Sequence, residues 1–183
     1  MPELPEAEVV AQQLRVHLLG AQLNECWVGR ADIVREGSPT LSWYHGAVLE
    51  GVERYGKSVA LGFKKENELR YVVAELGMTG LLLFCATQTK HPQHVHVRMS
   101  FTGGRESELR YWNPRRFGRL SLLDRAGLDR YRARRFGVDP LTVPRDEFVR
   151  LMQARRGRLK PLLMHQQVIA GIGNIYANEI LFR

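Results

Sequence analysis

Hydrophobic positions recur every four residues at the start of the chain, every two through its middle, and at helical spacing again towards its end. Val10, Leu14 and Leu18 repeat at i+4, the mark of one helical face. Pro5 suits a first helical turn, where its missing N–H costs nothing, and Gly20 suits the stop. This spacing predicts a helix over about Pro5 to Leu19, with Glu3, Glu6 and Glu8 complementing the positive end of its dipole. From Ala21 to Arg119 the runs are short and strand-like. Tyr71-Val72-Val73 is one and Leu81 to Phe84 another. The clearest has Val95, Val97, Met99 and Phe101 alternating with His96, Arg98 and Ser100, a strand with one buried face, closed by the turn Thr102-Gly103-Gly104. Leu109 to Trp112 and Leu120 to Leu123 are further strands. Many short strands separated by glycine-bearing turns predict a sandwich or barrel. Beyond about residue 124 the period is helical. Phe148, Leu151 and Met152 share a face between Pro144 and Gly157. Leu162, Leu163 and Val168 suggest a helix from near Pro161, and Ile175 to Phe182 form an apolar-faced segment behind Gly171-Ile172-Gly173-Asn174. The change of period sets a boundary near residue 132.

Composition narrows the class. The 183 residues are 44% hydrophobic, enough to bury a core. No apolar run approaches the ~18 residues of a membrane span, so no membrane partner is expected. The opening MPELPEAE is acidic and proline-rich, unlike a signal peptide. Two cysteines, Cys26 and Cys85, are too few for a disulfide scaffold or a four-ligand zinc site, which leads us to expect a reducing, cytoplasmic compartment of bacterial type.

Charge changes the picture further. The net charge is +8, and it is unevenly placed: residues 1–91 hold 9 basic and 11 acidic side chains, residues 92–183 hold 18 and 8. Seventeen of those 18 are arginines, which grip phosphate in a fork and stack on flat rings. The bias is either a solvated basic face or a nucleic-acid surface.

Several short constellations could carry chemistry, and each also admits a plain structural reading. Pro2 follows the initiator Met; removal of Met1 exposes a secondary amine of pKa near ~8, able to attack carbonyl-like carbon and form a Schiff base. Glu3 beside it could move protons. Alternatively, Pro2 and Pro5 only stiffen the approach to a helix. Lys57, in the turn Arg54-Tyr55-Gly56-Lys57-Ser58, either meets phosphate or is solvated. In Asn113-Pro114-Arg115-Arg116-Phe117-Gly118, Phe117 is either core or an exposed wedge for a base stack. Met78, flanked by Gly77 and Gly80, is a core filler or a probe. Gly171 to Asn174 opens a helix, and its free N–H groups would offer an anion site for phosphate. His91, His94 and His96 have metal-like spacing, with His94 and His96 on one strand face; lacking carboxylate or cysteine partners, they are read as phosphate contacts or ordinary strand histidines, with no metal.

In this order, these stretches closely resemble the formamidopyrimidine-DNA glycosylase family of base-excision repair enzymes. The matching segments are PELPEAE (Pro2 to Glu8), RYGKS (Arg54 to Ser58), LGMTG (Leu76 to Gly80), HVHVR (His94 to Arg98), LRYWNPRRFG (Leu109 to Gly118), FGVDPL (Phe136 to Leu141), LKPLLM (Leu159 to Met164) and GIGNIYANEILF (Gly171 to Phe182). The resemblance is to the oxidised-purine branch. It implies an α+β fold: an N-terminal helix on an eight-stranded antiparallel β-sandwich over residues 1–132, then an incomplete helix–two-turn–helix domain over 133–183. It implies a monomer acting on double-stranded DNA that contains an oxidised purine or an abasic site. Pro2 and Glu3 would be catalytic and Lys57 would hold phosphate and assist proton transfer. Glu6 would lie near the flipped base. Met78, Arg115 and Phe117 would fill the vacated stack, and His94, Arg155, Lys160 and Asn174 would bind the backbone, with His91 competing for the place of His94. A non-catalytic binder of damaged or abasic DNA is the alternative. The family's four-cysteine zinc finger has no counterpart in this chain, so no cofactor is expected. Glu75 stands where the family often has His, and a carboxylate there is expected to repel phosphate.

Overall fold

The computed structural model describes residues 2–37, 41–84 and 92–183; Cys85 and His91 lie outside the described residues. Helix α1 (Leu4–Leu18) forms where the four-residue spacing predicts it. Leu4, Ala7, Ala11, Leu14 and Leu18 are buried along one stripe, while Val9 and Val16 face solvent. The Glu6 carboxylate turns back to accept the Glu3 N–H at 2.9 Å, satisfying a donor that the first turn leaves without an intrahelical partner. The buried stripe lies against β3 (Val48–Tyr55) and β4 (Ser58–Lys65).

The remaining strands are β1 (Gln22–Val28), β2 (Val34–Glu36), β5 (Glu68–Glu75), β6 (Leu81–Phe84), β7 (Val95–Thr102), β8 (Glu108–Trp112) and β9 (Arg119–Asp124). They form one nine-stranded sheet in the order β2-β9-β5-β4-β3-β1-β7-β8-β6. The expected eight antiparallel strands are thus corrected to nine in a mixed sheet, because β2 pairs with β9 in parallel, Val34 opposite Leu120. These two strands are far apart in the chain and free of the hairpin connection that makes neighbours antiparallel. The sheet curls over its own core: Leu61, Val72, Ala74 and Leu120 from one half meet Leu82, Val97, Met99, Leu109 and Tyr111 from the other around a space of only about 10 Å³.

Helix α2 (Arg125–Arg135) starts at Asp124, whose carboxylate accepts the Gly127 N–H at 2.6 Å. Its Leu128 and Tyr131 pack with Ala60, Tyr71, Val73 and Leu123 on the other face of the sheet, so α2 runs through residue 132 as a sheet-bound helix. Helices α3 (Arg145–Gln153), α4 (Leu159–Met164) and α5 (Asn174–Phe182) build a separate core from Leu163, Val168, Ile169, Ile172 and Ala177. Phe148, Leu151 and Met152 cover it from the shared face that their spacing predicts. The helix expected to run from Pro161 through Val168 ends earlier, at Met164. Gln166 explains the early stop: its amide donates to the Met164 and Ile172 carbonyls at 2.8 Å each and accepts the Gly171 N–H at 2.9 Å, stapling two turns in place of a helix.

Two of the contacts that dock the helical region involve α1 and β3. The Leu4 N–H reaches the Gly171 carbonyl at 3.0 Å. Gly171 has φ +96°, and a Cβ there would come within 2.7 Å of the Leu4 side chain, so only glycine fits. Arg54, with 5% of its side chain exposed, joins Glu8 of α1 at 2.8 Å to Asp139 of the segment leading into α3.

Candidate active site

Residue 2 is half-buried, and residue 3 is the most constrained acidic side chain near it. Glu3 is 1% exposed. Its Oε2 accepts the N–H groups of Gly173 (2.8 Å) and Tyr176 (3.2 Å), and its Oε1 that of Ile175 (2.9 Å). The opening turn of α5 therefore points its free donors at a carboxylate from the other end of the chain. Of the N–H groups expected to offer a phosphate site at Gly171 to Asn174, that of Gly173 is taken by Glu3 and that of Gly171 by the Gln166 side chain. Asn174 itself is exposed. Gly173 permits the close approach, since a Cβ there would lie 2.4 Å from Glu3 Oε1 and 2.6 Å from Lys57 Nζ. Those two distances put Nζ no more than 5.0 Å from Oε1. Burial lowers the Lys57 pKa below the ordinary lysine value, and the Glu3 charge beside it only partly offsets this. Glu6 is exposed, and its carboxylate is spent on the Glu3 N–H.

The turn from Asn113 to Gly118 resolves the alternative left open for Phe117: it is not core but 60% exposed, with the Arg115 guanidinium 5.0 Å from its ring centre. Fully buried Asn113 holds the turn. Its Oδ1 accepts the Arg116 N–H at 3.1 Å, fixing Arg116 at φ +56°, and its amide donates to the Tyr111 hydroxyl at 3.1 Å. The histidines support this turn from below. The His94 carbonyl accepts the Asn113 N–H, and the His96 ring lies 2.9 Å from the Asn113 carbonyl. His94 and His96 do not share a strand face as expected. His94 ends a 3-10 turn with its ring edge-on to Trp112, while a bulge between Val95 and Val97 turns His96 inward, where it is 4% exposed. The turn itself is legible from the Asn-Pro pair between two strands, but the buried role of Asn113 in holding it is not.

A groove of about 690 Å³ brings Lys57, Met78 and Phe117 together with Glu75, Tyr131, Arg134, Arg135 and Gln167. Met78 is 38% exposed, a projecting tip rather than a core filler. The repulsion expected of Glu75 is corrected by its partners. Its Oε2 accepts Arg119 Nε at 2.8 Å, and its Oε1 accepts Arg135 Nη1 and the Tyr131 hydroxyl at 2.9 Å each. Burial and then the Glu75 charge push the Tyr131 phenol well above its ordinary value, so it stays a donor. A second hollow of about 690 Å³, sharing Gln167 with the first, is lined by Arg155, Arg156, Arg158 and His165. Lys160 is half-buried on α4. A third, of about 570 Å³ at Arg54, Tyr55 and Arg132, is lined by none of the expected site residues. Among the described residues no group of three His, Cys, Asp or Glu side chains could hold a metal ion. Burial in the sheet pushes the Cys26 thiol up to about 12, so without a partner charge it stays protonated.

Two family profiles match the chain: the formamidopyrimidine-DNA glycosylase N-terminal domain over residues 1–120 and the formamidopyrimidine-DNA glycosylase H2TH domain over residues 136–183. A formamidopyrimidine-DNA glycosylase of Herpetosiphon aurantiacus is 35% identical over 189 residues, aligning with all of this chain and 66% of its own length. Among solved structures, the MutM (Fpg) protein of Thermus thermophilus superposes with a TM-score of 0.80 at 32% identity, covering 100% of this chain and 64% of that one. The Lactococcus lactis Fpg in complex with DNA containing an abasic site gives 0.81 at 25% identity, over 98% and 65%. This chain thus spans about two thirds of the length of the curated relatives it matches. Sequence and fold agree, and the chain belongs to the formamidopyrimidine-DNA glycosylase family.

Proposed function

We propose that this chain carries the catalytic portion of a base-excision repair DNA glycosylase with abasic-site lyase activity, acting on oxidised purines such as 8-oxoguanine and formamidopyrimidines. The observation that carries the reading is the Glu3 carboxylate, pinned by three N–H groups of α5 within 5.0 Å of Lys57 Nζ and adjacent in the chain to Pro2. An amine nucleophile, a carboxylate and a buried lysine at one junction fit Schiff-base chemistry. The abasic DNA bound by the Lactococcus lactis relative supports the substrate class.

In this reading the damaged nucleotide is flipped out of the duplex, and Phe117, Arg115 and Met78 fill the gap from their exposed positions. With Met1 removed, the Pro2 nitrogen attacks C1′ of the sugar and the base leaves with the bonding pair, taking up a proton. Glu3 takes the proton shed by the Pro2 nitrogen and delivers it to the ring oxygen as the C1′–O4′ bond opens, leaving an iminium between Pro2 and C1′. The iminium acidifies C2′; loss of that proton expels the 3′ phosphate by β-elimination, and δ-elimination of the 5′ phosphate follows. Lys57 holds a flanking phosphate, and burial, by lowering its pKa, makes its proton easier to give up. Arg155, Lys160, Asn174 and His94 contact the backbone.

Borohydride trapping tests this directly. Protein whose amino terminus is confirmed by mass to be Pro2 should form a covalent adduct with an abasic or 8-oxoguanine duplex, and Pro2→Gly should suppress the adduct while sparing much of the affinity. Binding without any trappable adduct, at high protein and low salt, would instead establish a non-catalytic damage binder.

A further inference from the structure

Among the described residues lining the central groove, Glu75 is the only acidic one. It gathers groups from two other elements. Arg119 faces it across the β5–β9 ladder, and Tyr131 and Arg135 reach it from successive turns of α2. The Arg135 guanidinium lies 4.6 Å from the Tyr131 ring centre, and the Tyr131 hydroxyl is 3.2 Å from that of Ser58, the residue after Lys57. Each guanidinium gives Glu75 one hydrogen bond and keeps four of its five N–H donors. Arg119 and Arg135 also keep 37% and 36% of their side-chain surface exposed, against 18% for the carboxylate between them. Two cations on one anion leave a net positive charge, and both forks are held in place before any ligand arrives.

We propose that Arg119 and Arg135 form a phosphate clamp for the DNA backbone and that Glu75 is its positioning residue. The inference rests on the DNA-binding reading above and adds a contact that reading does not contain. It runs against simple electrostatics: a carboxylate in a DNA-facing groove here strengthens binding. Without it the two guanidinia repel each other, swing apart, and must be brought together again by the phosphate itself.

Anisotropy titrations of a labelled duplex containing a tetrahydrofuran abasic analogue, between 50 and 200 mM KCl, provide the test. Removing one phosphate contact should make the log–log salt slope shallower by about 0.9, so that affinity falls roughly 3.5-fold less across that range. Arg119→Ala/Arg135→Ala should show this change. Glu75→Gln should also weaken binding and flatten the slope, although it removes a negative charge, and Glu75→Asp should recover part of both. Folded Glu75→Gln that binds as tightly as wild type, or tighter, with the slope unchanged overturns the proposal. If circular dichroism shows Glu75→Gln to be unfolded, the arginine variants decide: an unchanged slope refutes the clamp. Borohydride trapping by the wild-type chain at saturating DNA is scored separately. Its failure removes the catalytic reading and leaves the slope comparison intact.

Discussion

Glu3 is proposed as a proton carrier, yet its geometry makes it a structural clamp as well, and Glu3→Gln separates the two roles. In the wild type one oxygen takes two backbone N–H groups and the other takes one. A glutamine amide can present oxygen to only one side; its NH₂ then faces a backbone donor on the other. A hydrogen bond to a charged acceptor contributes about 1.5–3 kcal/mol, roughly twice a neutral one. Losing one such bond and halving two gives a cost of about 3–6 kcal/mol by the same figures. The clamp is 1% exposed and joins residues at opposite ends of the chain, so water is poorly placed to substitute. For a chain of this size each kcal/mol moves Tm by about 2–4 °C, so the midpoint should fall by roughly 10 °C. The assay is thermal unfolding by circular dichroism without DNA. A purely catalytic Glu3 predicts lost trapping with an unmoved melt. A Glu3→Gln midpoint within ~2 °C of wild type would therefore refute the clamp.

Arg54→Ala should cost about 3–5 kcal/mol in urea denaturation, because it leaves Glu8 and Asp139 without their nearly buried partner; a loss below ~1 kcal/mol would mean water replaces the guanidinium. Burial alone would raise the Glu8 pKa, but hydrogen bonds and charge from Arg54 and Arg15 outweigh it and hold the carboxyl below its ordinary 4.5. The stability this adds is complete above 4.5 and drains away as pH falls through the folded value, so Glu8→Gln should flatten the loss of stability in acid. Lys57 has the same slope in a different pH window, although for a lysine the lowered value means a cost to the charged form rather than a gain. Its folded pKa lies below 10.5, so between the two values the unfolded chain binds more protons and stability rises with pH. An NMR titration of the Lys57 side chain with its midpoint at or above 10.5 would contradict this. Phe117→Ala, at a position 60% exposed, should change stability by no more than ~0.5 kcal/mol while weakening binding to abasic duplex roughly tenfold; unaltered affinity would exclude the ring from the DNA contact.

Much of the layout was readable where contacts are local. The i+4 repeat of Val10, Leu14 and Leu18 placed α1 to within a residue at each end, and the Leu81 to Phe84 run matched β6. The alternation from Val95 to Phe101 was right except at His96, where a bulge that leaves no trace in the hydrophobic pattern turns the ring inward. The parallel β2–β9 pair and the turns stapled by Gln166 were not readable, because each depends on contacts made only after folding. The site divides in the same way. Resemblance singled out Pro2, Glu3 and Lys57 one by one, but no spacing announces that Glu3 reaches residues 173 to 176. Glu75 was misread for the same reason. Judged as a lone carboxylate it repels phosphate, whereas Arg119 and Arg135, which pair with it, come from a different strand and from α2.

The bond from residue 3 to Tyr176 has a consequence for how the protein is made. The first residues to leave the ribosome cannot take up this arrangement until Gly173, Ile175 and Tyr176 have followed, since those three supply the backbone donors that seat Glu3. A nascent polypeptide halted after its sheet would hold residue 2 with no docked carboxylate beside it. On the function proposed above, chains long enough to fold the sheet but not the helical region would remain chemically unarmed.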